Sequence, residues 1–146
     1  MKFIIFILLF SSFLSFANDQ APPLNISQLT ENVYLYTSYK KVEPWGMVGA
    51  NGLVVIDSNE AHIVDTPWTI EGTKELIQWI QSKNLTIKSG IITHFHQDAS
   101  GGIKFLNDLK IKTYATALTN KLLNSKHREQ ASNIITDLRN FFYFNA

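Results

Sequence analysis

Cysteine is absent from the 146 residues of this chain. Its absence excludes disulfide bonds, a thiolate nucleophile and cysteine as a metal ligand. An excess of charge of one sign is also missing, because 13 lysine and arginine residues stand against 12 aspartate and glutamate residues. This balance argues against a nucleic-acid-binding protein, since such proteins carry clustered positive charge. A hydrophobic content of 45% with 17% charged residues instead indicates a packed globular core.

The N-terminal segment lacks a hydrophobic run long enough to span a bilayer. Its apolar run, Phe3 to Phe10, is interrupted by Ser11 and Ser12 and falls short of the ~20 residues that a membrane-spanning helix needs. Lys2 precedes the run, and small residues at Ser15 and Ala17 offer a cleavage point. We therefore predict that residues 1–17 are a signal peptide rather than a membrane anchor. Cleavage would leave no stable membrane anchor and would give a periplasmic product.

The remaining chain divides into a leader and one α/β region. Residues 18–25 contain Pro22-Pro23 and are predicted to form a flexible leader, since consecutive prolines fit neither a helix interior nor a sheet ladder. Short strand-like segments follow, and then a helical period from Ile70 to Ile80, which Thr66-Pro67 is expected to begin. Strands and helices alternate beyond it, which predicts an α/β fold with helices covering one face of the sheet.

The segment Thr93-His94-Phe95-His96-Gln97-Asp98 follows an apolar strand and carries the residues best suited to chemistry. In an extended segment, its two histidines and the aspartate would lie on one side. Imidazole nitrogens and carboxylate oxygens are ligands that zinc accepts. A surface loop with two solvated histidines is the alternative interpretation. Ser100-Gly101-Gly102 comes next and is expected to turn tightly into a helix.

Three segments together resemble the zinc-dependent, class B metallo-β-lactamases: IVDTPW at 63–68, THFHQDASGG at 93–102 and TYATALTNKLL at 113–123. Related hydrolases such as glyoxalase II carry another histidine directly after the aspartate, where this chain has Ala99, so the β-lactamase branch is favoured. The resemblance implies that residues 26–133 form the N-terminal half of an αβ/βα sandwich, in which two sheets lie between helices.

The resemblance also implies roles for five residues. His94 and His96 would bind a first zinc ion, and Asp98 would bind a second and act as a catalytic residue. Asp65 would orient a ligating histidine by accepting its other N–H, although a helix-capping role is the alternative. Trp45 would form the tip of a flap that closes over a β-lactam antibiotic, the expected substrate. Simple packing is the alternative for Trp45.

The chain departs from the family in its remaining zinc ligands. The family uses a third histidine for the first zinc ion, and a cysteine and a histidine for the second. His62 and His127 lie in no matching motif, so we expect a packed and a solvated histidine respectively. Both zinc sites are therefore expected to be incomplete, with the chain truncated after about residue 133 and residues 134–146 forming a non-matching tail.

The family function is zinc-dependent hydrolysis of the β-lactam ring, which this chain is expected to perform poorly or not at all. Two alternatives stay open at this point. One is another metallohydrolase of the same fold that acts on thioesters or phosphoesters. The other is a catalytically inactive half-domain.

Overall fold

A single sheet of seven strands organises the protein, and the strands lie side by side in the order of the sequence. The computed structural model describes residues 20–126 and 134–135. The strands are β1 (Asn25–Thr30), β2 (Val33–Val42), β3 (Gly46–Asp57), β4 (Glu60–Val64), β5 (Thr86–Ile92), β6 (Lys112–Ala115) and β7 (Ile134–Ile135). The helices are α1 (Ile70–Ser82), α2 (Gln97–Ser100), α3 (Ile103–Asp108) and α4 (Ala117–Lys126).

The sheet changes from antiparallel to parallel pairing at β4. Strands β1 to β4 form an antiparallel meander, whereas β4 to β7 pair in parallel. The change follows from the connections, because short turns join the first four strands and α1 crosses over between β4 and β5. Val64 is paired with Ile91, so the residues that follow β4 and β5 leave the same edge of the sheet.

Helix α1 begins later than the sequence pattern predicts. Its N-cap is Thr69, whose side chain accepts a hydrogen bond of 3.0 Å from the Gly72 N–H. The prediction that Thr66-Pro67 begins the helix is therefore wrong. Thr66 is instead buried, and its hydroxyl donates to the Ala99 carbonyl at 3.0 Å. A buried hydroxyl needs such a partner, and Thr66 finds it in α2 rather than at the start of α1.

The core lies between one face of the sheet and the helices. Val54, Ala61 and Ile63 from the sheet pack with Leu76 and Ile80 of α1 and with Leu106 of α3. A second buried cluster consists of Ile92, Ile103, Ala115 and Leu123. The predicted α/β fold, with helices covering one face of the sheet, is therefore confirmed.

The opposite face of the sheet is open in the described part of the chain. Its side chains line a cavity of about 590 Å³ and include Val55, His62, Val64, Ser89, Ile91 and Tyr114. The Nδ1 atom of His62 lies 2.8 Å from the Ser89 hydroxyl, within hydrogen-bond distance. An apolar sheet face of this kind is normally covered by another layer.

The first and last strands of the described region lie close to the predicted domain boundaries. β1 begins at Asn25, one residue before the predicted boundary, and the Leu24 N–H donates to the Glu75 carboxylate at 3.1 Å. At the other end, the first two residues of the predicted tail form β7. The predicted signal peptide and His127 lie outside the described residues. Among the described residues, no helix is long and apolar enough to cross a membrane.

The open face generates a prediction about self-association. Val64 and Ile91 point to the open face, whereas their neighbours Ile63 and Ile92 are at most 1% exposed beneath the helices. We expect the wild-type chain to self-associate and to bind a hydrophobic dye, and the V64T/I91T variant to do both less, with little change in stability.

The matched control is I63T/I92T, which changes the same strands on the covered face. It should lose roughly 2–4 kcal/mol of unfolding free energy at each site, because a buried methyl group is lost and a hydroxyl is buried. Light scattering and thermal unfolding measure the two effects. A wild-type chain that is a monodisperse, cooperatively unfolding monomer without dye binding would contradict the prediction.

Candidate metal centre

The candidate site is built where β5 leaves the sheet. β5 ends at Ile92, residues 93–96 form an irregular loop, and α2 begins at Gln97. His96 is extended, with φ −74° and ψ 157°, and precedes the first turn of α2. The extended segment therefore ends at His96, and Asp98 lies in a helical turn. The sequence motif was expected to be extended throughout, so that part of the prediction is wrong.

The structure brings together His94, His96 and Asp98. One possible ligand atom from each of them lies within 4.8 Å of the other two. The Nε2 atom of His94 is 3.3 Å from Oδ1 of Asp98, and the two imidazole rings are 5.3 Å apart. The helical turn achieves this grouping by folding Asp98 back toward His94. The role of these three residues as metal ligands stays a prediction.

Asp65 holds the loop in place through Thr93. Oδ1 of Asp65 accepts a 2.7 Å hydrogen bond from the Thr93 N–H. The Thr93 hydroxyl lies 2.7 Å from Oδ2 of the same carboxylate. Asp65 adopts a left-handed conformation with φ 60°, a region that aspartate tolerates better than most residues. Since Thr69 caps α1, the capping alternative for Asp65 is not what the structure shows.

Thr93 also links Asp65 to His94. Its hydroxyl oxygen is 3.0 Å from Nδ1 of His94. Because the single hydroxyl proton is donated to the Asp65 carboxylate, the oxygen is free to accept a hydrogen bond from Nδ1–H. This network assigns the Nδ1 proton to neutral His94 and leaves the lone pair on Nε2, the atom that faces Asp98. Asp65 therefore acts on His94 through Thr93, which the sequence did not reveal.

Burial raises the pKa of the Asp65 carboxyl from its usual value, and the negative charge of Asp98 adds to the rise. The hydrogen bonds from Thr93 and the nearby His94 act in the opposite direction and only partly offset the cost of burial. The Asp65 carboxyl is thus partly removed from solvent in the position from which it binds Thr93 and holds the loop.

The buried Tyr36 side chain holds the backbone of Asp65. Its hydroxyl donates a 2.7 Å hydrogen bond to the Asp65 carbonyl, and its side chain is buried. Burial raises the pKa of Tyr36 well above its usual value, so the hydroxyl remains a donor. Gly52, its partner on β3, must be a glycine because any Cβ atom would overlap the Tyr36 hydroxyl. A tyrosine and a glycine paired across two strands are the sequence signal that could have indicated this contact.

Gly101 and Gly102 form the turn between α2 and α3 and also allow close packing. Gly101 has ordinary helical angles, φ −60° and ψ −25°. A Cβ atom at Gly101 would overlap the Trp68 carbonyl, and one at Gly102 would overlap the Thr73 side chain. The expected turn is present, since residues 101–102 form a turn directly before α3 begins at Ile103. Neither glycine has a positive φ, so the conformational freedom of glycine is not what this turn requires. The two glycines let α2 lie directly against the segment after Asp65 and against α1.

Trp45 lies in the turn of the β2–β3 hairpin and is 76% exposed. Simple packing therefore does not explain this side chain in the described part of the chain. Its proposed role as a flap tip is compatible with such exposure and stays a prediction.

Comparison with known proteins gives the family. No protein family model matches the chain. A metallo-β-lactamase type 2 from Pseudomonas aeruginosa is 42% identical over 115 residues, which cover 79% of this chain and 47% of that protein. The crystal structure of VMB-1 is 61% identical, with a TM-score of 0.74, and the match covers 79% of this chain and 52% of that one.

A crystal structure of DIM-1 metallo-β-lactamase exposed to ceftazidime agrees with them. It is 44% identical with a TM-score of 0.75 over 80% of this chain and 53% of that one. In sequence and fold, this chain matches one half of a class B metallo-β-lactamase. It spans about half the length of the curated metallo-β-lactamases that it matches.

The raised pKa of Asp65 generates a prediction about pH. An ionised carboxylate that is costly to bury reduces native stability above its native pKa, and this cost disappears as the native carboxyl is protonated. In metal-free buffer, the wild-type chain should therefore gain unfolding free energy relative to D65N as the pH falls from 7 toward 4.

Urea unfolding of both proteins at each pH measures the difference, in which acid effects common to both cancel. The asparagine keeps an oxygen that can accept from Thr93, so the comparison isolates the charge. A wild-type chain that loses stability relative to D65N on acidification would show that the Thr93 hydrogen bonds outweigh burial.

Proposed function

We propose that this half of a metallo-β-lactamase carries part of the site for zinc-dependent hydrolysis of the β-lactam ring. The observation that carries the proposal is the grouping of His94, His96 and Asp98, whose possible ligand atoms lie within 4.8 Å of one another. The similarity to metallo-β-lactamases, including one exposed to ceftazidime, supports a β-lactam antibiotic as substrate. His94 and His96 would hold a first zinc ion, and Asp98 a second.

The donors suit zinc for a specific reason. The hydrogen bond to Thr93 leaves neutral His94 with its Nε2 lone pair directed at the Asp98 carboxylate, 3.3 Å away. A lone pair and a carboxylate repel each other unless a proton or a metal cation lies between them. Nitrogen and oxygen donors of this kind are ones that zinc accepts. These donors therefore suit bound cations, with His94 on the first proposed zinc ion and Asp98 on the second.

The residues of the chain have separable tasks in such a reaction. A zinc ion held by His94 and His96 would supply Lewis acidity and would lower the pKa of a bound water molecule toward ~7. Thr93 holds the Nδ1 proton of His94, so Nε2 stays available as a donor. Asp65 keeps Thr93 in place through two hydrogen bonds. Asp98 supplies a carboxylate beside His94 and serves as the proposed catalytic residue.

A serine mechanism is a poorer fit. Serine β-lactamases use a Ser-x-x-Lys motif, and this spacing occurs here at Ser38 and Lys41. Both residues lie in β2, where positions three apart point to opposite faces of the strand. Ser38 is buried, and its hydroxyl oxygen accepts a hydrogen bond from the backbone N–H of Trp68 at 3.2 Å. The two side chains therefore cannot act on one substrate.

An inactive half-domain is the second candidate, and the number of donors favours it. A catalytic zinc ion normally has three protein ligands and a water molecule. In the part of the chain that the structure describes, one group of three donors comes together, and the family resemblance divides these three between two zinc ions. We therefore propose that this chain by itself is inactive or impaired.

We also propose that residues 1–17 direct export to the periplasm. The support is the sequence pattern of Lys2, the apolar run from Phe3 to Phe10, and small residues at Ser15 and Ala17. N-terminal sequencing of the product from a periplasmic extract tests it, with Asn18 expected as the first residue.

Zinc titration tests the proposed ligands. We expect the wild-type chain to bind zinc weakly, because its described residues supply only part of each site, and the H94A/H96A variant to lose this binding. H62A is the matched control, since it removes a histidine from the open face of the sheet. Calorimetry measures the affinities. Tight binding that survives H94A/H96A would refute these ligands.

Hydrolysis assays test the consequence for activity. We expect no turnover of nitrocefin or ceftazidime above a zinc-only blank, with full-length DIM-1 in the same buffer as the positive control. A thioester and a phosphodiester belong in the same panel, because turnover of either would favour another metallohydrolase. Steady β-lactam turnover that is lost in H94A/H96A would contradict the inactive half-domain.

A further inference from the structure

The β2–β3 hairpin extends beyond the sheet as a two-stranded arm. β1 pairs with β2 only as far as Thr37, and β4 pairs with β3 only from Leu53. Between these limits and the turn, the two strands pair with each other alone in the described part of the chain, as far as Val42 and Gly46. Isolated two-stranded hairpins are marginally stable in water. The arm therefore depends on contacts with the rest of the protein.

One face of β2 supplies three contacts with the rest of the protein at alternate positions, and the last two of them lie in the arm. The Tyr36 hydroxyl donates to the Asp65 carbonyl at 2.7 Å, and the Ser38 hydroxyl oxygen accepts a hydrogen bond from the backbone N–H of Trp68 at 3.2 Å. Lys40, the next residue on this face, donates to the Gln97 side-chain oxygen at 2.7 Å. The Lys40 ammonium group also lies 5.8 Å from the centre of the Trp68 ring, a cation–π distance.

The third contact joins the arm to the candidate metal centre. Gln97 is the residue between His96 and Asp98, and it begins α2. The Lys40–Gln97 bond spans 57 residues of sequence, so it ties together two elements that the chain does not connect locally. Lys40 lies three residues from the turn that carries Pro44 and the exposed Trp45.

We propose that Lys40 is a positioning residue that couples the β2–β3 arm to the metal-binding loop, defined here as residues 93–98. Ordering of the loop around zinc holds Gln97, and Gln97 holds the arm through Lys40, so zinc steadies Trp45 at the tip. Since such coupling is reciprocal, the same hydrogen bond strengthens zinc binding. The inference rests on the proposed function in one respect, namely that zinc binds His94, His96 and Asp98.

The absence of cysteine allows a unique reporter, because W45C places one fluorescent label on the arm. Fluorescence anisotropy of this label is measured at submicromolar protein, with and without zinc, alongside the zinc affinity. The variants K40M, K40R and K41M are compared in the labelled protein. Lys41 is the matched control, because its side chain alternates to the other face of β2 and lies 3.7 Å from Glu43.

We expect zinc to raise the anisotropy in the labelled parent protein, in K40R and in K41M, but not in K40M. K40M should also weaken zinc binding by about three- to five-fold, the scale of one partly exposed charge-assisted hydrogen bond. In the Q97A background, K40M should have no further effect on either quantity, since the partner is already gone.

Three results would overturn the coupling, and they are distinguishable. If zinc binds but the label does not respond, or if K40M acts equally in the Q97A background, Lys40 does not position the loop. If the parent protein does not bind zinc at all, the proposed metal centre itself fails, and the coupling fails with it.

Discussion

The bond between Asp65 and Thr93 is the constraint on which the candidate site depends. It joins the two residues that leave β4 and β5 at one edge of the sheet, and it fixes where the chain departs toward His94. The position of Thr93 determines where the following loop begins, and therefore where the helical turn brings Asp98 back toward His94. The bond requires a partly buried carboxylate, and the hydrogen bonds from Thr93 and the nearby His94 offset the cost of that burial only in part.

Close packing around this bond explains several residues whose roles are not chemical. Gly52 leaves room for the Tyr36 hydroxyl that holds the Asp65 carbonyl. Gly101 and Gly102 allow α2 to approach the segment after Asp65 without a Cβ atom in between. A methyl group at any of these glycines would overlap a residue that packs around the metal-binding loop, although the nearest atoms belong to none of the proposed ligands. The site thus extends well into the sheet and the first helix.

Local patterns in the sequence were sufficient for the fold class and for the three candidate ligands. Strand-like and helical periods gave the α/β arrangement, and the spacing of His94, His96 and Asp98 indicated a shared site. Contacts between distant segments could not be predicted this way. Thr93 looks like an ordinary strand-end residue until β4 lies beside β5, and Thr66 looks like a helix cap until Ala99 approaches it. Lys40 and Gln97 carry no pattern that relates them, because their contact exists only once the arm lies over the loop.

The switch from antiparallel to parallel pairing at β4 has a consequence for the order of assembly. The meander from β1 to β4 is made of neighbouring strands joined by short turns, whereas Asp65 and Thr93 are 28 residues apart and meet only after α1 has crossed the sheet. Local pairings form faster than pairings across long loops. During synthesis the meander can therefore be complete before His94 and His96 are added. A metal ion would arrive at a sheet whose meander is already built, unlike a zinc finger, in which the metal drives folding.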